Sequence, residues 1–301
     1  MSAAEKSPSG TPAPEVVPGT AKAPGWSLRW RIASGLLFVP LLILLARAGS
    51  LAWTAFVALQ VGLGLTEFYR MMRGKGHAPH FTLGMLSGIT LVVVAFRPSL
   101  APLDFLVTAA VMLLLALGLR RASARGIVES MAVTAFGVLY VAGLSAHLVM
   151  LRELPWTAGT RYEDGASYVL LAFFLTWGCD TGAYAFGRLL GRTRPWTTIS
   201  PRKSVEGSIG GLATAVAAAF VARAWFASYL GPWDAATLGL LVGVFSQVGD
   251  LVESLLKRDA QAGDSSDFIP GHGGVLDRFD SLYFGAPLVF HYLRLVVLRV
   301  P

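Results

Sequence analysis

Apolar residues in this chain fall into long stretches with few polar interruptions. Nine stretches stand out, at roughly 31–47, 51–68, 81–97, 102–119, 130–151, 166–188, 206–225, 235–256 and 281–299. About 20 apolar residues in helical conformation cross the hydrocarbon of a bilayer. The pattern therefore predicts an all-α, polytopic integral membrane protein with about nine transmembrane helices. The first two stretches are joined by a very short turn at Gly49 and Ser50, which predicts a tight helical hairpin. Pro40 and Pro287 lie within stretches, an interruption that helices in lipid tolerate. No repeat of solenoid period is visible, so residues 26–301 are expected to form one membrane domain. Residues 1–25 break the pattern: Pro8, Pro12, Pro14, Pro18 and Pro24 punctuate a segment rich in Ala, Ser and Gly. Such a segment cannot bury enough surface to offset its chain entropy, and a disordered tail is expected. The apolar region begins only after Trp26 and lacks a small-residue cleavage site, so the first helix is expected to be retained.

Composition narrows the class further. Hydrophobic residues make up 54% of the chain and charged residues only 14%, against about 25% charged in soluble domains, which excludes an ordinary water-facing enzyme. The single cysteine, Cys179, excludes a disulfide framework and a cysteine-based zinc cluster. A net charge of +7 would suggest nucleic acid in a soluble protein. Here the basic residues sit between apolar stretches, so nucleic acid is not the expected partner; lipid headgroups and phosphate substrates are. With the N-terminus in the cytoplasm, the inner loops carry Arg29 and Arg31, then Arg70, Arg73 and Lys75, then Arg120, Arg121 and Arg125, then Arg192, Arg194, Arg202 and Lys203, then Lys257, Arg258 and Arg278. The outer loops carry Arg47, Arg97, Arg152 and Arg161. This asymmetry supports N-in, C-out, with Arg294 and Arg299 as counter-signals.

Polar residues within the stretches concentrate in the second half; the first, to about residue 150, reads as plain membrane helix. Asp180 interrupts LTWGCDTGAYAFG, and Asp250 and Glu253 interrupt FSQVGDLVESLLKR. Charges within spans are costly and usually face a cavity or the bundle interior. Asp250, Ser254 and Lys257 share one helix face by their spacing. For Asp250 and Glu253 the alternative is a paired polar stripe that only packs helices. The single histidines His147 and His291 and the tryptophans Trp30, Trp53, Trp225 and Trp233 are expected to pack or to lie at the membrane interface.

Two loops hold the densest chemistry. In Lys257–Ser281, Pro270, Gly271, Gly273 and Gly274 form a turn whose backbone amides can approach an anion, with His272 between the glycines and Asp277, Arg278 and Asp280 after them. His272 either donates to a phosphate or pins the turn. Carboxylates without cysteine suit a hard cation such as Mg²⁺, which is usually held by one or two carboxylates plus substrate phosphates. In Ile199–Gly211, Ser200 and Pro201 look like a helix start, Arg202 and Lys203 supply charge for phosphate, and Glu206, Gly207 and Gly211 open the next helix. Gly207 and Gly211 also form a helix-packing pattern.

Ser254-Leu-Leu-Lys-Arg, then Gly263-Asp264, then Ile269-Pro-Gly-His-Gly-Gly-Val-Leu-Asp-Arg-Phe-Asp280 closely resembles the signature of the phosphatidate cytidylyltransferase (CDP-diacylglycerol synthase) family. Ser200-Pro-Arg-Lys-Ser-Val-Glu-Gly-Ser-Ile-Gly-Gly211 resembles a second motif of that family, and Asp180-Thr-Gly-Ala-Tyr184 with Gly187 and Gly191 a third. The resemblance is strong over about 166–285, the expected catalytic half. Three positions depart from the pattern: Gly263 where the family usually has Lys, Arg202 where it has Lys, and Val205 where it has Trp.

The resemblance implies transfer of CMP from CTP to phosphatidate at a cytoplasmic face of the inner membrane, giving CDP-diacylglycerol and pyrophosphate. It implies Asp250 and Asp277 as ligands of Mg²⁺, with room for a second, monovalent cation such as K⁺. Lys203, Lys257, Arg258 and Arg278 are candidate phosphate binders. Ser200, Arg202, Ser204, Glu206, Gly273 and Gly274, with Asp180, Asp264 and Asp280, are candidates for the substrate cradle; Asp280 alternatively orients Arg278. The family suggests a homodimer. Competing readings are a CTP-dependent kinase of a lipid alcohol, which would lack the long glycine signature, and a scaffolding paralogue, suggested only by Gly263. A transporter would carry broken helices in two matching halves.

Overall fold

A computed structural model describes residues 28–119, 125–262 and 273–300, with side chains from residue 37 onward. The tail at 1–25, Arg120 and Arg121, and Gly263, Asp264 and His272 lie outside the described residues, as do the side chains of Arg29 and Arg31.

Nine long helical segments occur among the described residues, one on each predicted stretch, besides a 3-10 turn at Pro98–Leu100, and there is no strand among those residues. They are α1 (Leu28–Ala48), α2 (Ser50–Gly74), α3 (Phe81–Phe96), α4 (Leu103–Gly118), α5 (Ile127–Ala158), α6 (Asp164–Leu190), α7 (Val205–Trp225), α8 (Pro232–Asp259) and α9 (Leu276–Tyr292). Five of them (α2, α5, α6, α7 and α8) are long and apolar enough to cross a membrane by length and composition. The chain is a polytopic membrane protein. Helices α1 and α9 continue through Pro40 and Pro287. Helix α5 passes through a π-helical turn at Val138–Gly143, and α9 ends in another at Leu293–Val297.

The bundle has an apolar core with a few buried polar residues set into it, and its outer face is apolar as well. Helix α4 turns Leu103, Phe105, Val107, Met112 and Leu115 outward, the face expected against lipid. Helix α2 forms the centre of the first half, burying Trp53, Val57, Val61, Leu65 and Phe68 along one helical stripe. Trp53 Nε1 donates to the Leu148 carbonyl of α5 at 2.9 Å. Polar Gln60 and Glu67 are buried on the same helix, so the first half is not plain membrane helix as its sequence suggested. The hairpin between α1 and α2 is a single residue, Gly49, at φ +60°. Arg152 of α5 closes it, donating to the carbonyls of Ala46 (2.6 Å) and Arg47 (3.4 Å). This residue, read from the sequence as an outer-loop charge, is a buried packing element. His147 and His291 are not solitary either: their ring centroids lie 5.3 Å apart with the planes inclined by 59°.

In the second half α6, α7 and α8 pack closely, and glycines set their spacing. A Cβ on Gly207 would lie 2.8 Å from the Ala183 carbonyl, and one on Gly211 2.9 Å from the Cys179 carbonyl. Both glycines of the small-residue pattern therefore serve the α6–α7 contact. Helix α7 begins not at Ser200 and Pro201 but at Ser204, whose Oγ accepts the Gly207 N–H at 3.1 Å. That is an ordinary N-cap, and it satisfies a donor the helix itself cannot.

Candidate active site

The chain alternates direction from helix to helix, so the C-terminal ends of α2, α6 and α8 meet the N-terminal ends of α7 and α9. Helices α8 and α9 extend further into this region than the apolar stretches suggested. Lys257 and Arg258 occupy the last turn of α8, and Asp277 the first turn of α9. Close approach of these helices depends on Gly249, where a Cβ would lie 2.6 Å from the Asp280 carbonyl. The neighbouring Asp250 is thereby brought beside Asp280.

The acidic residues divide into two groups. In one, Lys257 Nζ lies 2.7 Å from Glu253 Oε2 and 2.7 Å from Asp277 Oδ1, with Glu253 1% exposed and Asp277 10%. The second oxygen of Asp277 accepts the Gly274 N–H at 2.9 Å. Gly273, at φ +75°, makes the turn that aims this amide back at the helix. Lys257 thus serves Glu253 and Asp277 rather than Asp250, whose face it shares. In the other group, Asp250 stands beside both Asp180 and Asp280. Lys203 Nζ approaches Asp250 Oδ2 at 2.9 Å, and Ser254 Oγ donates to Asp250 Oδ1 at 3.5 Å. Ser281 Oγ donates to Asp180 Oδ1 at 3.2 Å, and Asp280 Oδ1 accepts the Ser281 N–H at 2.6 Å. Five carboxyl groups and two ammonium groups meet here, inside a bundle where each isolated charge is expensive.

Several expected substrate contacts have other partners. Glu206 accepts the amides of Arg192 (3.0 Å) and Thr193 (3.1 Å), fixing the loop that leads from α6. Arg258 Nε donates to the Ile199 carbonyl at 3.2 Å, tying the end of α8 to the same loop. Ser204 is the cap of α7, and the Gly274 amide belongs to Asp277. Ser200 is half-buried within the loop, whereas Arg202 and Arg278 are exposed at the rim. Among the described residues, no group of three or more His, Cys, Asp and Glu has the arrangement of a self-sufficient metal site.

Sequence reasoning missed Glu67. From α2, its Oε1 accepts the Val275 N–H at 3.0 Å and its Oε2 the Leu276 N–H at 2.8 Å. Its signal in the sequence was a lone acid at the end of an apolar stretch, close to Arg70 and Arg73, which reads as a residue of the membrane interface. Tyr140 and Tyr283 were missed too: their rings lie 5.3 Å apart, and Tyr283 Oη accepts from Gln60 Nε2 at 2.9 Å. Tyr140, set in the π-helical turn of α5, lies within electrostatic reach of Asp250, Glu253 and Asp280.

Comparison with known proteins identifies the family. The pattern of the cytidylyltransferase family matches residues 29–296. A phosphatidate cytidylyltransferase of Synechocystis sp. is 35% identical over 289 residues, 89% of this chain and 97% of that protein. Phosphatidate cytidylyltransferases of Staphylococcus haemolyticus and Staphylococcus aureus are 45% and 43% identical over 127 and 128 residues, 42% of this chain and 49% of each relative. The match to the family runs from α1 into the last turn of α9, and so takes in both acidic groups and the helix that carries Glu67: the chain belongs to the cytidylyltransferase family.

Proposed function

We propose that this chain transfers the CMP moiety of CTP to phosphatidate, giving CDP-diacylglycerol and pyrophosphate. The observation that carries the reading is the convergence of five carboxyl groups, two lysines and two exposed arginines at one end of a membrane bundle, with Asp180, Lys203, Lys257, Asp277 and Asp280 in segments that resemble the family motifs. A lipid phosphate and a nucleotide triphosphate repel each other, so a catalyst for their reaction chiefly has to neutralise and position them.

A phosphatidate oxygen attacks the α-phosphorus of CTP in line. A new P–O bond forms, the bond from that phosphorus to the bridging oxygen breaks, and pyrophosphate carries away the electron pair. A phosphate monoester loses its second proton near pH 6, at about the value for phosphoserine, so no strong base is needed. Exposed Arg202 and Arg278 attract the triphosphate, and Lys203 and Lys257 stand at the inner boundary of the polyanion. Glu206 and Arg258 hold the loop that presents Lys203.

A cluster of hard oxygen donors without cysteine fits Mg²⁺, which usually completes its shell with water and substrate phosphate. Asp250 is the favoured ligand, with Asp180 and Asp280 beside it; Asp277 joins only where Lys257 yields one of its oxygens. Bound there, Mg²⁺ supplies charge neutralisation on the CTP phosphates, and the remaining carboxylates suit a second, monovalent cation such as K⁺. The basic residues at this end support placing it in the cytoplasm, where CTP is found, across a bacterial inner membrane.

The test is purified protein in detergent with labelled CTP, phosphatidate and Mg²⁺. Labelled CDP-diacylglycerol with equimolar pyrophosphate is the expected result. Consumption of CTP only on addition of a lipid alcohol, giving its phosphate and CDP, would replace the reading with a lipid kinase.

A further inference from the structure

The first four amides of any α-helix have no acceptor within the helix, and its N-terminus carries partial positive charge. Helix α9 meets both needs with carboxylates. Asp277, in its own first turn, takes the amide of Gly274, one residue before the N-cap Val275. Glu67, on α2 and more than 200 positions away in the chain, takes the next two, those of Val275 and Leu276. Glu67 is only 3% exposed, and each of its oxygens accepts one backbone amide.

This arrangement exceeds what capping alone requires. A serine or asparagine in the turn itself would satisfy a helix start without burying a carboxylate. A two-oxygen grip from another helix also fixes the distance and the angle of α9 against α2. The two gripped residues immediately precede Asp277, whose Oδ1 meets Lys257. Any displacement of Val275 and Leu276 is therefore passed within one turn to the Asp277–Lys257 pair. Glu206 does the equivalent for the other loop, taking the consecutive amides of Arg192 and Thr193.

We infer that Glu67 is a positioning residue for the transfer reaction: by holding the amides of Val275 and Leu276, it sets where Asp277 and Lys257 stand relative to the substrates. The inference rests on the cytidylyltransferase reading. It also assigns the first half of the chain a part in the chemistry otherwise located in the second. A further consequence concerns the substrate. A helix N-terminus readily binds phosphate, and here that place is taken by Glu67, so the triphosphate is left to Lys203 and the rim arginines.

The test compares Glu67→Gln with Gln60→Leu. Both alter α2–α9 contacts, but Gln60 reaches Tyr283, two turns into α9 and away from the signature turn. Glu67→Gln retains size and one acceptor oxygen while setting an amide NH₂ against a backbone N–H. Turnover and the half-saturation concentrations for Mg²⁺ and CTP are measured on purified protein, with folded fraction and melting temperature recorded alongside. A smaller folded fraction lowers apparent turnover but leaves half-saturation concentrations where they were. Glu67→Gln is expected to lower turnover by a factor of about ten (~1.4 kcal/mol on the barrier) and to raise the Mg²⁺ half-saturation severalfold. Gln60→Leu is expected to leave that half-saturation at the wild-type value. If Glu67→Gln does not accumulate, Glu67→Asp, which keeps the charge but withdraws it by one methylene, is read in the same way. Unchanged half-saturation in the Glu67 variants, or an equal shift in Gln60→Leu, overturns the inference. A wild-type protein that makes no CDP-diacylglycerol overturns the underlying reading instead.

Discussion

Lysine 257 is the residue whose removal has the most calculable consequence. Its ammonium lies 2.7 Å from each of two carboxylates, and the three side chains are 16% (Lys257), 1% (Glu253) and 10% (Asp277) exposed. Lys257→Met keeps most of the aliphatic stem and removes the charge, leaving Glu253 and Asp277 facing one another with little water to screen them. Removing one partner of a buried ion pair costs about 3–5 kcal/mol. At roughly 2 °C per kcal/mol, the low end for large domains, the melting temperature falls by about 6–10 °C. Neutralising Glu253 in the same protein should reverse much of that loss, because Asp277 keeps its bond from the Gly274 amide and no longer meets a like charge. The Glu253→Gln, Lys257→Met double variant should therefore melt above the Lys257→Met single variant, with a coupling of about 1–3 kcal/mol. Tryptophan fluorescence during heating in detergent reads all four proteins of the cycle without reference to activity. A Lys257→Met protein melting within about 2 °C of wild type, or a double variant less stable than the single, would refute the idea that Lys257 holds these two acids together.

Asp277→Asn should reduce CDP-diacylglycerol formation at least 100-fold, about 2.7 kcal/mol on the barrier, while the protein still fractionates with membranes; near-normal turnover at ordinary Mg²⁺ removes Asp277 from the site. Lys203→Met takes away the ammonium 2.9 Å from Asp250; the Mg²⁺ half-saturation should fall even as turnover drops, and an unchanged value argues against metal at Asp250. Gly249→Ala sets a methyl group 2.6 Å from the Asp280 carbonyl, which should cost about 1–3 kcal/mol through overpacking and lower the melting temperature; a neutral effect would mean that α8 and α9 separate freely. In a Cys179→Ser background, cysteines at Thr197 and Trp156, on opposite ends of the bundle, should react with impermeant reagent from the cytoplasmic and the outer side respectively; the reverse pattern inverts the proposed orientation.

All nine helices were legible because the length of an apolar stretch is a property of the chain in one dimension. Their ends were less so. Helix α8 continues to Asp259, beyond the expected 256, and α9 starts at Leu276, ahead of 281, because both carry charged residues on turns that leave the apolar zone. The pairing of Lys257 with Asp277 joins residues 20 apart in one recognisable signature, so their proximity could be expected. The hold of Glu67 on Val275 spans 208 residues, and nothing in either segment announces the other. Ser204 and Glu206 show a different difficulty. A hydroxyl or carboxylate suited to a phosphate cradle suits a backbone amide equally well, and only the geometry separates the two uses.

The one-residue hairpin at Gly49 bears on how the protein is made. Arg152, which holds the Ala46 carbonyl across 106 positions, is absent when that turn first leaves the ribosome. At about 5–20 residues per second, the guanidinium follows its acceptor by roughly 5–20 s. During that interval the last carbonyls of α1 and the tight turn after them must be satisfied by water or lipid headgroups. The first two helices can enter the membrane as a pair, yet their junction reaches its final form only when α5 docks. A variant at Arg152 should consequently show its defect as poor accumulation during synthesis, before any loss of activity in the protein that does assemble.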